Sequence, residues 1–290
     1  MTPPTYDTPP TTASAIRARL KNVYGIDHTL AIRRTRTIAS VAVAQMLPQS
    51  VVKGGGSMNL RRGPQDSRVS LDLDVSRPIG VSASDFLKEL EANLKRGWNG
   101  FNGTLTEKPK VAPNNVPPQY VMQPVDVHVT YKGSTFEKVP LEISREEFDV
   151  EIENIDVVAD EIVALFTNIG LGAPEAVTVL SVELQAVQKL HACTTPTGRG
   201  RYERAHDLVD LQLLCRGTAV NLSNLDLLGR CLFRFRKQGA WPPTVAAHAG
   251  WETLYGEASE GLDVLPLAEA ITWINALTAE AVRAGLADPS

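Results

Sequence analysis

The chain has 290 residues, 43% of them hydrophobic and 21% charged, with a formal net charge of −4. That balance suits about two packed domains and excludes a wholly disordered chain or a generic basic coat for nucleic acid. Any nucleic-acid contact would have to come from local patches, and arginines do cluster at Arg33–Arg36, Arg61–Arg68, Arg199–Arg204 and Arg230–Lys237.

In chain order, the Pro/Thr-rich residues 1–12 read as a flexible arm. Helical spacing then predicts helices over 13–24 and 28–47, the second stopped by Pro48. From Ser50 the texture turns α/β. A short buried strand, "SVVK", enters Gly54-Gly55-Gly56, and a short helix follows over Ser57–Arg62. "RVSLDLDV" alternates, so Val69, Leu71, Leu73 and Val75 are expected on one face and Ser70, Asp72 and Asp74 on the other. "SASDFLKELEANLKRG" reads as a serine-capped helix, and "VDVHVTY" and "FEKVPLEIS" as strands joined at Lys132-Gly133.

Beyond residue 150 the helical period dominates. Helices are predicted over 156–169, 181–194, 202–216, 223–238, 248–259 and 266–285, with "APEAVTVLS" as an extended connection. The expected organisation is an α/β core over 13–150 followed by a helical half over 151–290. The cysteines Cys193, Cys215 and Cys231 have neither zinc nor disulfide spacing, which points to a reducing, cytoplasmic setting. No apolar run is long enough for a membrane span, and none resembles a secretory leader, so no membrane association is expected.

The candidate chemistry lies in residues 51–77. Asp72 and Asp74, two residues apart on a strand, would hold their carboxylates side by side, an arrangement that repels unless a cation lies between them. Hard oxygen ligands of this kind suit Mg²⁺, which takes one or two carboxylates and shares substrate phosphates; a solvent-facing acidic strand is the alternative. Gly54, Gly55 and Gly56 would let backbone N–H groups approach a polyphosphate, with the helix start and the Ser57 hydroxyl adding to the site. The spacing is neither that of a Walker loop nor G-x-G-x-x-G.

"KGGGSMNLRRGPQDSRVSLDLD" resembles the signature of the AbiEii/AbiGii toxin family, which includes the MenT toxins and belongs to the nucleotidyltransferase superfamily. Lys53-Gly54-Gly55 matches its turn, Leu60 its helix, Arg68 its arginine, and Ser70-Leu71-Asp72-Leu73-Asp74 its acidic strand. A second block, "AVQKLHACTTPTGRGRYERAHDLVDLQLL", supplies Lys189, Arg199, Arg201, Asp207 and Asp210-Leu211. Gln188 and His206 depart from the family's usual residues without removing a group that the chemistry needs.

The resemblance implies a polymerase β-like nucleotidyltransferase fold, a mixed sheet with helices followed by a helical C-terminal half. It implies an NTP substrate, Mg²⁺ held by Asp72 and Asp74 with Glu142 as a candidate third ligand, and catalytic roles for Lys189 and Asp207. Lys189 would reach the β- and γ-phosphates, and Asp207 would orient it or an acceptor group. Lys53 would contact phosphate or the acceptor, and Arg68 would bind phosphate or brace the aspartate pair. The expected activity is that of a toxin of a toxin–antitoxin pair, moving a nucleotide onto RNA, with the tRNA 3′ end as acceptor and translation as the casualty. A cognate antitoxin is the expected protein partner. Nucleotidylation of a protein hydroxyl, or a non-catalytic nucleotide-binding regulatory module, are the alternatives.

Overall fold

The computed structural model describes residues 4–25, 27–68, 70–110, 121–147, 153–197 and 200–287, and these divide into two compact units. The first contains, in chain order, α1 (Ala13–Tyr24), α2 (His28–Ala44), β1 (Val51–Lys53), α3 (Gly54–Arg62), β2 (Leu73–Arg77) and α4 (Ala83–Arg96). It continues with β3 (Phe101–Glu107), β4 (Gln123–Tyr131), β5 (Ser134–Arg145), β6 (Ile155–Val157), α5 (Asp160–Thr167) and β7 (Val177–Val179). The expected α/β fold, a mixed sheet with helices, is what forms.

The seven strands make one sheet in the order β3-β4-β5-β2-β1-β7-β6. The β2–β5 and β1–β7 pairs are parallel and the rest antiparallel. Val52, Leu73, Val75, Leu141 and Ile143 enter one apolar core with residues of α1, α2, α4 and α5. Burying each such side chain stabilises by roughly 1.5–3 kcal/mol, which fixes strand register because a one-residue slip would turn every one of them outward. The β4–β5 hairpin turns on Lys132 and Gly133, both at positive φ (45° and 78°), the two-residue geometry that matches strand twist. The Ser82 side chain accepts a hydrogen bond from Asp85 N and caps α4 as the sequence suggests.

Several boundaries differ from the sequence reading, each for a local reason. The strand expected from Arg68 begins only at Leu73; Leu71 is 64% exposed, so the alternation that included it is not a buried face. Helix α3 begins at Gly54 rather than Ser57. The helix expected over 156–169 is a strand, β6, and then the shorter α5, because Ile155–Val157 pairs with Val177–Val179 in "APEAVTVLS". Strand β3 gave no signal: Gly103 stands where an apolar residue would mark it, and a side chain there would press on Leu94 and Val127.

The arm expected to be loose at 1–12 is tied down where it is described. Tyr6 N–H donates to the Asn168 carbonyl, Arg19 donates to the Thr8 carbonyl and covers the Tyr6 ring, and Tyr131 Oη and Lys132 Nζ both donate to the Pro10 carbonyl.

The second unit consists of α6 (Val182–Thr194), α7 (Ala205–Cys215), α8 (Leu222–Arg236), α9 (Trp251–Ser259) and α10 (Leu267–Ala287), joined by residues 66–68. The helical half therefore starts near residue 180, not 151, since β6, α5 and β7 complete the sheet unit. Helix α7 is buried along nearly its whole length, the signature of a central helix. Leu267, Ala270, Ile274, Thr278 and Ala281 line the buried stripe of α10 at spacings of three and four. Among the described residues the three cysteines are free thiols, and no helix is long and apolar enough to cross a membrane.

Candidate active site

The carboxylates of the sheet unit meet on the half-buried face of its central strands. Lys53 pairs with Asp74 across β1–β2, and Asp74 pairs with Glu142 across β2–β5. Residues opposite one another on paired strands share a face and lie about 5 Å apart, so the three side chains form a row over the sheet. Asp72 stands just before β2, where Ser70 Oγ donates to its carboxylate at 3.0 Å and reaches its carbonyl at 3.1 Å. Burial, and then the charge of Asp72, raise the proton affinity of Glu142 above that of an ordinary glutamate; Lys53 and Lys108 oppose this. Asp72, Asp74, Glu142 and Lys53 are thus brought together.

The three glycines explain how this becomes possible. A Cβ on Gly54 would lie 2.0 Å from Asp74 Oδ2, one on Gly55 2.5 Å from Ser70 Oγ, and one on Gly56 2.8 Å from the Leu73 side chain. Gly54 also has φ +62°, a conformation that L side chains rarely adopt. The bare backbone of α3 lets Ser70, Leu73 and Asp74 press against the side on which a Cβ would stand. Ser57 is an internal group here: it is fully buried and donates to the Gly54 carbonyl at 2.9 Å.

The helical unit gathers the other predicted residues into a buried ionic network. Lys189 Nζ reaches Asp207 at 3.0 Å and Asp210 at 2.7 Å; Arg68 Nε lies 3.1 Å from both Asp210 oxygens, and Arg204 Nε 2.7 Å from Asp207. Asp207 and Asp210, three residues apart on α7, face the same way, and both are buried. Burial alone would raise the proton affinity of Asp207, but Lys189 and Arg204 outweigh it and hold the carboxyl well below the usual range. The same balance works in reverse on Lys189, whose ammonium burial disfavours and the two aspartates restore, leaving its pKa raised. Arg68 forms an ion pair with Asp210.

Two residues outside the expected set therefore matter. Asp210 holds Lys189 as closely as Asp207 does, and its signal was the three-residue spacing on one helix. Ser70 orients Asp72, and its signal was its place two residues ahead in the same acidic motif. Arg199 lies outside the described residues.

The donor set of the sheet row fits a hard divalent cation. Its ligands are carboxylate oxygens, and the like charge that raises the proton affinity of Glu142 is what a cation would relieve. Among the described residues no three His, Cys, Asp or Glu side chains gather closely enough to hold an ion by themselves. Mg²⁺ needs no such cage, since one or two carboxylates and substrate phosphates suffice.

A model of the family described as nucleotidyl transferase AbiEii toxin, type IV toxin–antitoxin system, matches residues 38–276. No curated protein matches the sequence. Among solved structures, MenT4, a nucleotidyltransferase toxin from Mycobacterium tuberculosis, superposes with a TM-score of 0.50 at 14% identity, covering 95% of this chain and 98% of that one. JHP933 from Helicobacter pylori gives a TM-score of 0.47 at 16% identity over 90% of this chain and 94% of that one. The likeness to MenT4 shows a shared fold.

Proposed function

The chain belongs to the AbiEii family of nucleotidyl transferase toxins of type IV toxin–antitoxin systems, and from that premise we propose that it transfers a nucleoside monophosphate from an NTP to the 3′ end of a tRNA, with Mg²⁺, and so blocks aminoacylation and translation. A 3′ hydroxyl oxygen bonds to the α-phosphorus, the bond from that phosphorus to the β-phosphate bridging oxygen breaks, and pyrophosphate leaves with the electron pair. The observation that carries the reading is the in-register row of Lys53, Asp74 and Glu142, with Asp72 held beside it by Ser70.

In this reading Asp72 and Asp74 hold the cation, with Glu142 next to them. When bound, a divalent cation neutralises phosphate charge and eases deprotonation of the acceptor. Glu142 is the candidate third ligand, the acceptor's proton passes to solvent, and Ser70 keeps Asp72 aimed at the ligand. Lys53 offsets the charge of the acidic row. Lys189 contributes positive charge to phosphate binding, with Asp207 and Asp210 holding its ammonium in place and charged.

The test incubates the purified protein with total tRNA, Mg²⁺ and each α-³²P-labelled NTP in turn, beside Asp72→Ala. Label on RNA that disappears with the variant is the expected result. Label on protein would replace the acceptor, and label on neither would overturn the transfer reaction.

A further inference from the structure

The sheet unit has a pocket beside Asp72 whose α2 wall this function leaves unassigned. It is lined by Arg33, Arg36, Thr37 and Ser40 of α2, Asn59 of α3, and Ser70 and Asp72 ahead of β2. Arg33 and Arg36 are one helical turn apart and share a face. The third arginine of this cluster, Arg34, is occupied elsewhere, stacked over the Tyr24 ring at 4.5 Å. Arg36 is exposed and forms an ion pair with no carboxylate among the described residues, Asp72 in the same pocket included. Asn59 Oδ1 is buried with no hydrogen-bond partner among the described residues, an acceptor waiting for an N–H or O–H group.

We propose that Arg33 and Arg36, with Asn59, form a phosphate-binding subsite beside Asp72 that accepts a nucleotide. The reasoning is one of supply. The Ser57 hydroxyl is buried on the Gly54 carbonyl, so it is not offered to an anion. Arg36 is exposed and offers its guanidinium, and guanidinium groups bind phosphate through charge-assisted, often bidentate, hydrogen bonds. The vacant Asn59 acceptor asks for a donor next to that phosphate, as a ribose hydroxyl or a base amine provides. Arg33 is the more buried of the two; burial lowers its pKa, Glu161 opposes that and Arg34 adds to it.

This inference rests on the transferase reading, and the phosphate could belong to the incoming NTP or to the acceptor strand. Arg36→Gln is the variant of choice, because an exposed side chain can change without unfolding the protein, and Arg36→Lys restores charge without the fork. KM is measured for each Mg·NTP and for a short single-stranded RNA. A rise of about tenfold or more in KM for NTP alone assigns the triphosphate to the subsite. The same rise for RNA, with a salt dependence shallower by about one ion, assigns the acceptor phosphate. In either case Arg36→Lys is expected to recover part of the loss. Both KM values within twofold of wild type would overturn the subsite. Should the wild type transfer no nucleotide to any acceptor, the transferase reading fails separately. Equilibrium binding of Mg·NTP and RNA to wild type and Arg36→Gln then tests the subsite alone: weaker binding by the variant supports it, and equal or absent binding overturns it.

Discussion

The two units treat their candidate-site carboxylates in opposite ways. In the helical unit, Asp207 and Asp210 are buried among three cations, Lys189, Arg68 and Arg204, each within 3.1 Å of a partner. In the sheet unit, Asp72 and Glu142 form no ion pair with Lys or Arg among the described residues, and the charge of one raises the proton affinity of the other. A carboxylate already satisfied by neighbouring cations holds a structure; carboxylates that repel one another are set for a cation that arrives with substrate. The contrast separates groups placed for stability from groups placed at a cost to it.

The sharpest way to break that contrast is to remove one member of each set. Asp72→Ala is expected to lower transfer by about a thousandfold while changing unfolding free energy by less than about 0.5 kcal/mol, read by label transfer and urea denaturation. Lys189→Met should do the reverse first, destabilising by about 3–5 kcal/mol because two buried aspartates lose their shared cation. A variant as stable as wild type would show that this network is not structural. Gly54→Ala joins the two effects: its methyl group meets the Asp74 carboxylate and its φ is strained, so a loss of about 1–3 kcal/mol should accompany reduced transfer.

The pH dependence sharpens the comparison further. Asp207 has a folded pKa below its ordinary 3.8, so its stabilisation is present above that value and is lost as pH falls below it toward the folded pKa. Lys189 has a folded pKa above 10.5, so its contribution is whole below that pH and is lost as pH climbs through the folded value. Glu142 runs oppositely to Asp207: its folded pKa lies above 4.5, and its ionisation costs stability as pH rises through that value. The smallest expected effect is a carboxyl titration by NMR. Glu142 should titrate above 4.5 in wild type and move part of the way back in Asp72→Asn, the remainder being due to burial.

How much of this the sequence carried depends on how local each cause is. The serine cap of α4, the Lys132-Gly133 hairpin and the α/β-then-helical order all follow from short-range pattern. Strand β3 and the β6–β7 pair did not, because Gly103 broke the first pattern and the second depends on a partner some twenty residues away. In the site, the two motif blocks named the aspartates and Lys189, and Glu142 was a candidate drawn from a later strand. Neither block could say what the glycines were for. The fold uses them to admit Ser70, Leu73 and Asp74, a contact between segments that spacing alone does not encode. The pairing of Arg68 with Asp210 was equally hidden, since the two lie far apart in sequence and spacing does not join them.

The position of β7 has a consequence for synthesis. Strand β1, which carries Lys53, is flanked by β2 on one side and by β7 on the other, and β7 lies more than a hundred residues downstream. While the ribosome is still working between them, β1 presents a row of unpaired backbone groups to the cell, the kind of edge on which nascent chains stick to one another. Its closure is a long-range pairing and therefore among the slower steps of folding. The strand that frames the acidic row is thus sealed late, and a chain released before residue 179 would expose it as an adhesive edge.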